Sequence, residues 1–300
     1  MKIVPYDPDN WKKDHPTGNV AFQHMLKGEP ESPDNFMYIL GRQDGDFYMP
    51  RHRHNFEQIR LPVKGDMTIG GGLILREGEV GYFPEGTPYG PQNDPLGNAP
   101  PGERLQLVLQ FGGASGYGFM SIEQRRQAMA ELAKLGQWVG PNFRWPDGKE
   151  EWGLNTIWKH VFGVSVKYPR PRYRAPLIAD PKSFHWLPVA GSSGVERKYF
   201  GAFSERAAWV EMVRLQPRAV WSSADPAARR LLVVTAGEGT AEGQAIRHLT
   251  ALQAEAGETL SVATQAGVEL FVIGLPPIER PAVESDQYDT SEALPEEHAA

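Results

Sequence analysis

The chain contains no cysteine, so neither a disulfide framework nor a thiolate metal centre is open to it. No apolar run approaches the length needed to cross a bilayer. The opening Met1-Lys-Ile-Val-Pro-Tyr-Asp-Pro-Asp has no apolar signal core, so a soluble, cytoplasmic protein with no membrane partner is expected. Clustered positive charge is also missing. The formal net charge is −6, yet residues 281–300 alone carry Glu284, Asp286, Asp289, Glu292, Glu296 and Glu297 with no Lys or Arg. The body is therefore close to neutral, and a nucleic-acid face, which needs grouped Lys and Arg, is excluded. Short internal repeats and phosphate-loop patterns are absent too. Gly112-Gly-Ala-Ser-Gly-Tyr-Gly is followed by no strand–helix pattern with a lysine.

What is abundant is glycine and proline, 32 and 26 of 300 residues, as many tight turns require. Short apolar segments separated by such turns point to an all-β chain with room for two cores. Residues 1–36 read as a polar, turn-rich arm. Strands are expected from Phe36 onward, and the segment Leu105–Phe111 alternates, with Leu105, Leu107, Leu109 and Phe111 on one face and Gln106 and Gln110 on the other. One helix is well marked. Ser121-Ile-Glu-Gln124 is a capping box, and Gly136 is a natural stop. The stretch Tyr168–Pro176 holds three prolines and reads as an extended linker. The resulting division is an arm (1–36), a first barrel (37–118), a helical connection (119–180), a second barrel (181–280) and an acidic, disordered tail (281–300).

The chemical information lies between Gly45 and Asn93. His52-Arg53-His54 is followed by Glu57-Gln58, then by six residues and Gly65. Further on come Gly78, Pro84, Gly86, Tyr89 and Asn93. Two His at i, i+2 on a strand face the same way, so both imidazoles can enter one interior. On an unbroken strand His52, His54, Gln58 and Arg60 point inward, while Arg51, Arg53 and Glu57 point outward. Parity and the distance to Gly65 favour Gln58 as the third ligand. A β-bulge would favour Glu57 instead.

These spacings resemble the two motifs of the cupin superfamily, with Gln58 in the slot of the usual Glu and Tyr89 in that of the second-motif His. The frame Arg230, Gly237, Gly257, Ala263 and Val268 echoes the same spacings without ligand residues. The resemblance therefore implies two cupin-type β-barrels (double-stranded β-helix, or jelly roll), the second degenerate and metal-free. It implies one divalent transition metal, Fe before Zn, Mn, Ni or Cu, held by His52, His54 and Gln58. Arg60 and Tyr89 are the candidate catalytic residues, the first as a clamp on an anion, the second as a ligand or as a group acting on substrate. A small anionic, phenolic or enolic substrate and a dioxygenase-type oxidoreductase follow, with a homodimer as the expected assembly. The alternatives are a non-catalytic ligand-binding or scaffolding bicupin and a non-redox isomerase or lyase. Single histidines such as His160, His185 and His248 have no spaced partner and are expected to serve packing or the surface.

Overall fold

A computed structural model describes residues 1–13, 20–30, 32, 34–43, 47–93, 103–116, 119–140, 142–278 and 288–289. The motif glycine Gly45 and most of the acidic tail lie outside these residues. Two compact units emerge, one of residues 11–178 and 280–300, the other of residues 1–10 and 179–279.

In the first unit an antiparallel sheet runs in the order Leu177–Ala179, Val80–Phe83, Phe56–Lys64, Arg104–Gly112, Phe36–Gln43, Val20–Lys27. Shorter ladders pair Tyr48–Met49 with Gln92–Asn93 and Met67–Gly70 with Leu73–Leu75. Register fixes which side chains meet. Gln58 lies opposite Gln110 and Arg60 opposite Val108. The alternation of the 104–112 strand resolves accordingly: Leu107, Leu109 and Phe111 are fully buried on one face, while Gln106, Val108 and Gln110 line a cavity.

Residues 1–36, expected to form few regular elements, hold two strands. Val20–Lys27 is the outer strand of this sheet, and Lys2–Val4 pairs with Ala251–Gln253 in the other unit. The first of these was masked in sequence by the prolines around it, although Val20, Ala21, Met25 and Leu26 are all buried.

The marked helix, α1, spans Ile122–Leu132 with both arms of its capping box formed. It stops short of Gly136, whose N–H instead bonds the Leu132 carbonyl through a closing turn. A second helix, α2 (Gly153–Phe162), ends on Gly163 in the left-handed region. Ala128, Leu132, Phe143, Ile157, Trp158 and Tyr168 bury a common core, with Trp138 and Trp145 against it. Of the expected extended linker only Tyr168–Pro169 is a strand, paired with Tyr288–Asp289 of the tail, and residues 172–175 bend.

The second unit is a larger antiparallel sheet. Its main path runs Lys2–Val4, Ala251–Ala254, Arg229–Ala241, Val268–Leu275, Trp209–Leu215, Val195–Ala202, Leu187–Pro188. Its interior is closed by Val213, Leu215, Trp221, Leu232, Val234, Leu252, Leu260, Val262, Leu270 and Val272, each nearly or wholly inaccessible to water.

Candidate functional site

The site is the cavity of the first unit, about 110 Å³. Its polar wall is made by the two sequence motifs. The strand carrying Gln58 and Arg60 begins only at Phe56, so the histidines precede regular pairing. They are held in line by an isolated bridge, in which His52 and Tyr89 exchange two backbone hydrogen bonds of 2.9 Å. Gly86 adds a third tether, its N–H reaching the His54 carbonyl at 2.7 Å. That residue must be glycine. Its φ is +76°, and a Cβ would come within 2.1 Å of the Pro169 carbonyl oxygen.

The side chains converge on the Tyr89 hydroxyl. It lies 3.1 Å from His52 Nε2, 3.3 Å from His54 Nδ1 and 3.4 Å from Gln58 Oε1. His52 Nδ1 sits 2.7 Å from the Pro50 carbonyl, which requires the proton on that nitrogen and turns the Nε2 lone pair to the cavity. Glu57 faces away, is fully buried and does not line the cavity, which agrees with the parity that favoured Gln58.

Arg60 goes further than strand parity suggested. Its Nε and Nη2 donate to Gln58 Oε1 at 2.9 and 2.5 Å, and Nη2 also donates to the Tyr89 hydroxyl at 2.7 Å. The guanidinium lies over the Phe83 ring at 4.2 Å and is only 7% exposed. It thus occupies the same cluster as the expected metal ligands rather than a position behind them.

Burial sets the protonation states. It lowers His52 to about 4, with Arg60 adding to the shift and the Pro50 bond opposing it. His54 is held well below the usual imidazole range by burial, then by His52 and Arg60. The Tyr89 phenol is pushed up by burial, partly offset by Arg60. Two neutral imidazoles, a neutral amide and a neutral phenol therefore surround one guanidinium.

This donor set fits a tightly held divalent ion poorly. Only two imidazoles, His52 and His54, meet at the Tyr89 hydroxyl, and among the described residues no group of three or more His, Cys, Asp or Glu comes together. The two remaining oxygens already accept from Arg60, and a dication among them would face a buried positive charge with no carboxylate to offset either. Sequence spacing identified every one of these residues but not the bonds Arg60 makes, because side-chain reach is not encoded in spacing.

Gln106 and Gln110, whose placement sequence left open, belong to the cavity wall, as do His24 and Arg125, which no motif marked. His160 has a structural role, its Nε2 lying 2.7 Å from Glu131 across the two helices.

In the second unit the slot matching Gln58 holds Arg230, which is 1% exposed and donates from Nη1 to the Ser223 carbonyl at 2.7 Å and from Nη2 to the Glu258 carbonyl. The slot matching Tyr89 holds Val268, part of the apolar core.

No family model matches the chain, and no curated protein matches it either. Solved structures do. A Nostoc punctiforme protein proposed to be a dioxygenase aligns over 97% of this chain and 81% of its own, at TM-score 0.57 and 12% identity. Streptomyces albus HEPD, solved with 2-hydroxyethylphosphonate and Fe(II), aligns over 95% and 77%, at TM-score 0.55 and 11% identity. Quercetin 2,3-dioxygenase from Acinetobacter baumannii aligns over 97% and 92%, at TM-score 0.50 and 11% identity. At these identities the likeness establishes the fold, two cupin-type β-barrels in an all-β chain, and a fold alone does not select an activity. Among the described residues no helix is long and apolar enough to cross a membrane.

Proposed function

We propose that this chain is a cupin-type enzyme acting on a small organic anion in its first barrel. Arg60 is the anchoring cation, and Tyr89 and His52 stand beside the reacting atoms. The observation that carries this reading is the bonding of Arg60. A guanidinium taken out of water costs several kcal/mol unless charge and hydrogen bonds compensate it. Here its hydrogen-bond partners are a neutral amide and a neutral phenol, while Nη1 bonds no described residue. An incoming carboxylate or enolate supplies the missing charge, and the planar guanidinium suits it. His52 Nε2 and the Tyr89 hydroxyl, 3.1 Å apart, then form a path along which a substrate proton can pass. That chemistry belongs to the non-redox isomerase or lyase class.

One observation favours a second reading, a metal-dependent dioxygenase using Fe or, failing that, Zn, Mn, Ni or Cu at His52, His54 and Gln58. A metal-ligating histidine commonly donates its other N–H to a backbone carbonyl, and His52 does so to Pro50. Under either reading the second barrel is structural, and a two-fold dimer is the proposed assembly.

Metal analysis of the purified full chain, with calorimetry of small carboxylates, separates the readings. The first expects substoichiometric metal, and an Arg60→Gln variant that binds carboxylates more weakly by about 1.5–3 kcal/mol. Stoichiometric metal that disappears in a His52→Ala/His54→Ala variant, with carboxylate binding indifferent to Arg60→Gln, would replace it by the second. Carboxylate binding without turnover of any enolisable acid would leave a ligand-binding protein.

A further inference from the structure

The cavity has a second cation that neither motif contains. Arg125 lies on α1, three residues after Ile122, and residues three apart share a helix face. Ile122 packs against the cluster of Met37, Ile39 and Val108, so this face of α1 is turned to the cavity, and Ile122 and Arg125 both line it. No described carboxylate bonds the Arg125 side chain. The nearby acid Glu123 is engaged elsewhere, by Lys27. Burial lowers the Arg125 pKa, as it does that of Arg60.

Two guanidinium groups thus face one cavity that holds no described Asp or Glu among its lining residues. They come from separate elements, Arg60 from the Phe56–Lys64 strand and Arg125 from the helix. Like charges that share a low-dielectric space repel, so a cavity built this way is destabilised until anions enter it. Three residues of the wall also carry buried side-chain atoms with no partner among the described residues: Gln58 Nε2, Gln106 Oε1 and His24 Nε2. Gln58 and Gln106 are 1% and 8% exposed, so bulk water does little to satisfy them. An unpaired buried polar group is costly.

We infer that the substrate is a small dianionic organic acid, with one carboxylate on Arg60 and the second acidic group on Arg125. The inference rests on the proposed anion-binding role of Arg60 and adds the second contact and the charge of the ligand. Size limits the choice. A void of roughly 150 Å³ accommodates benzene, so a cavity of about 110 Å³ favours the shortest diacids over longer ones. Apolar lining from Phe22, Ile39 and Val108 fits the carbon chain between the charges.

The test is calorimetric titration of the full chain with paired probes of equal length: succinate against butyrate, glutarate against pentanoate and adipate against hexanoate. Arg125 is only partly buried on a well-capped helix, and circular dichroism of Arg125→Gln and Arg125→Lys checks that the fold is kept. At least one diacid should bind tenfold or more tightly than its monoacid partner. Arg125→Gln should abolish that preference, weakening the diacid far more than the monoacid, and Arg125→Lys should restore part of it. Arg60→Gln should weaken both members of the pair. If Arg125→Gln weakens monoacid and diacid equally, both arginines grip a single anion and the dianion inference fails. It fails as well if no diacid is preferred by the wild type, although a monoacid still lost in Arg60→Gln would leave the anion-binding reading intact. Indifference of every probe to Arg60→Gln overturns both.

Discussion

The first barrel faces inward with His52, His54, Gln58, Arg60, Tyr89, Gln106 and Gln110, and the second with valine, leucine and tryptophan. Yet both carry an arginine at or beside the same motif slot. Arg230 donates twice to backbone carbonyls while its Nε has no partner among the described residues, and Asp225, Glu258 and Glu211 act on its charge. Arg60 donates to side-chain oxygens in a wall that opens on a cavity. The contrast separates two uses of one buried cation. Bonded to carbonyls in a unit with a closed apolar core, it ties strands together. On a cavity wall, as the proposed function has it, it takes an anion.

That contrast can be tested by opening the closed barrel. Leu270→Ala removes a fully buried side chain from the second core and should cost about 2–5 kcal/mol in urea unfolding. Val108→Ala, on the cavity wall, should cost less, since space already adjoins it. Equal losses would mean that the first cavity is tightly packed in solution.

Acid should act through the open barrel. His52 titrates near 6.5 unfolded and about 4 folded, so the folded state resists protonation. Its contribution is complete above pH 6.5 and is lost as pH falls, by about 3 kcal/mol at pH 4. His54 acts in the same direction. Unfolding curves between pH 8 and 4.5 should show the loss, and His52→Gln should flatten it. A pH-independent midpoint would count against neutral, buried imidazoles.

The smaller effects concern the supports of the first site. Gly86→Ala forces an L side chain into positive φ against the Pro169 carbonyl and should cost about 1–3 kcal/mol, visible as a lowered melting temperature. Ser121→Ala removes the α1 cap and should cost about 1 kcal/mol. If capping also positions Arg125, diacid affinity will fall with it, whereas Gly86→Ala should weaken monoacid binding as well.

Much of this was legible in sequence for identifiable reasons. Strand parity from His52 brought His54, Gln58 and Arg60 to one wall, because Cβ direction alternates whether or not the ladder is complete. The capping box fixed the start of α1 through local hydrogen bonds, which need no tertiary information. Its end was misplaced because Gly136 closes a turn beyond the last helical residue. The strand at Lys2–Val4 was missed because its partner lies about 250 residues away, and Val20–Lys27 because prolines flank it. Arg125 escaped notice because nothing in an amphipathic helix says which cavity its polar residue will meet.

The strand Lys2–Val4 also has a consequence for biosynthesis. It is made well before its partner Ala251–Gln253, and Met1 pairs with Glu258, 257 positions along the chain. At about 5–20 residues per second the strand waits for many seconds with its edge unpaired. The second barrel cannot complete its sheet until Ala251–Ala254 and Val268–Leu275 have been made, while the first can close as soon as its own strands emerge. Vectorial synthesis thus gives the ligand-facing half of the protein a head start over the half that lends it bulk.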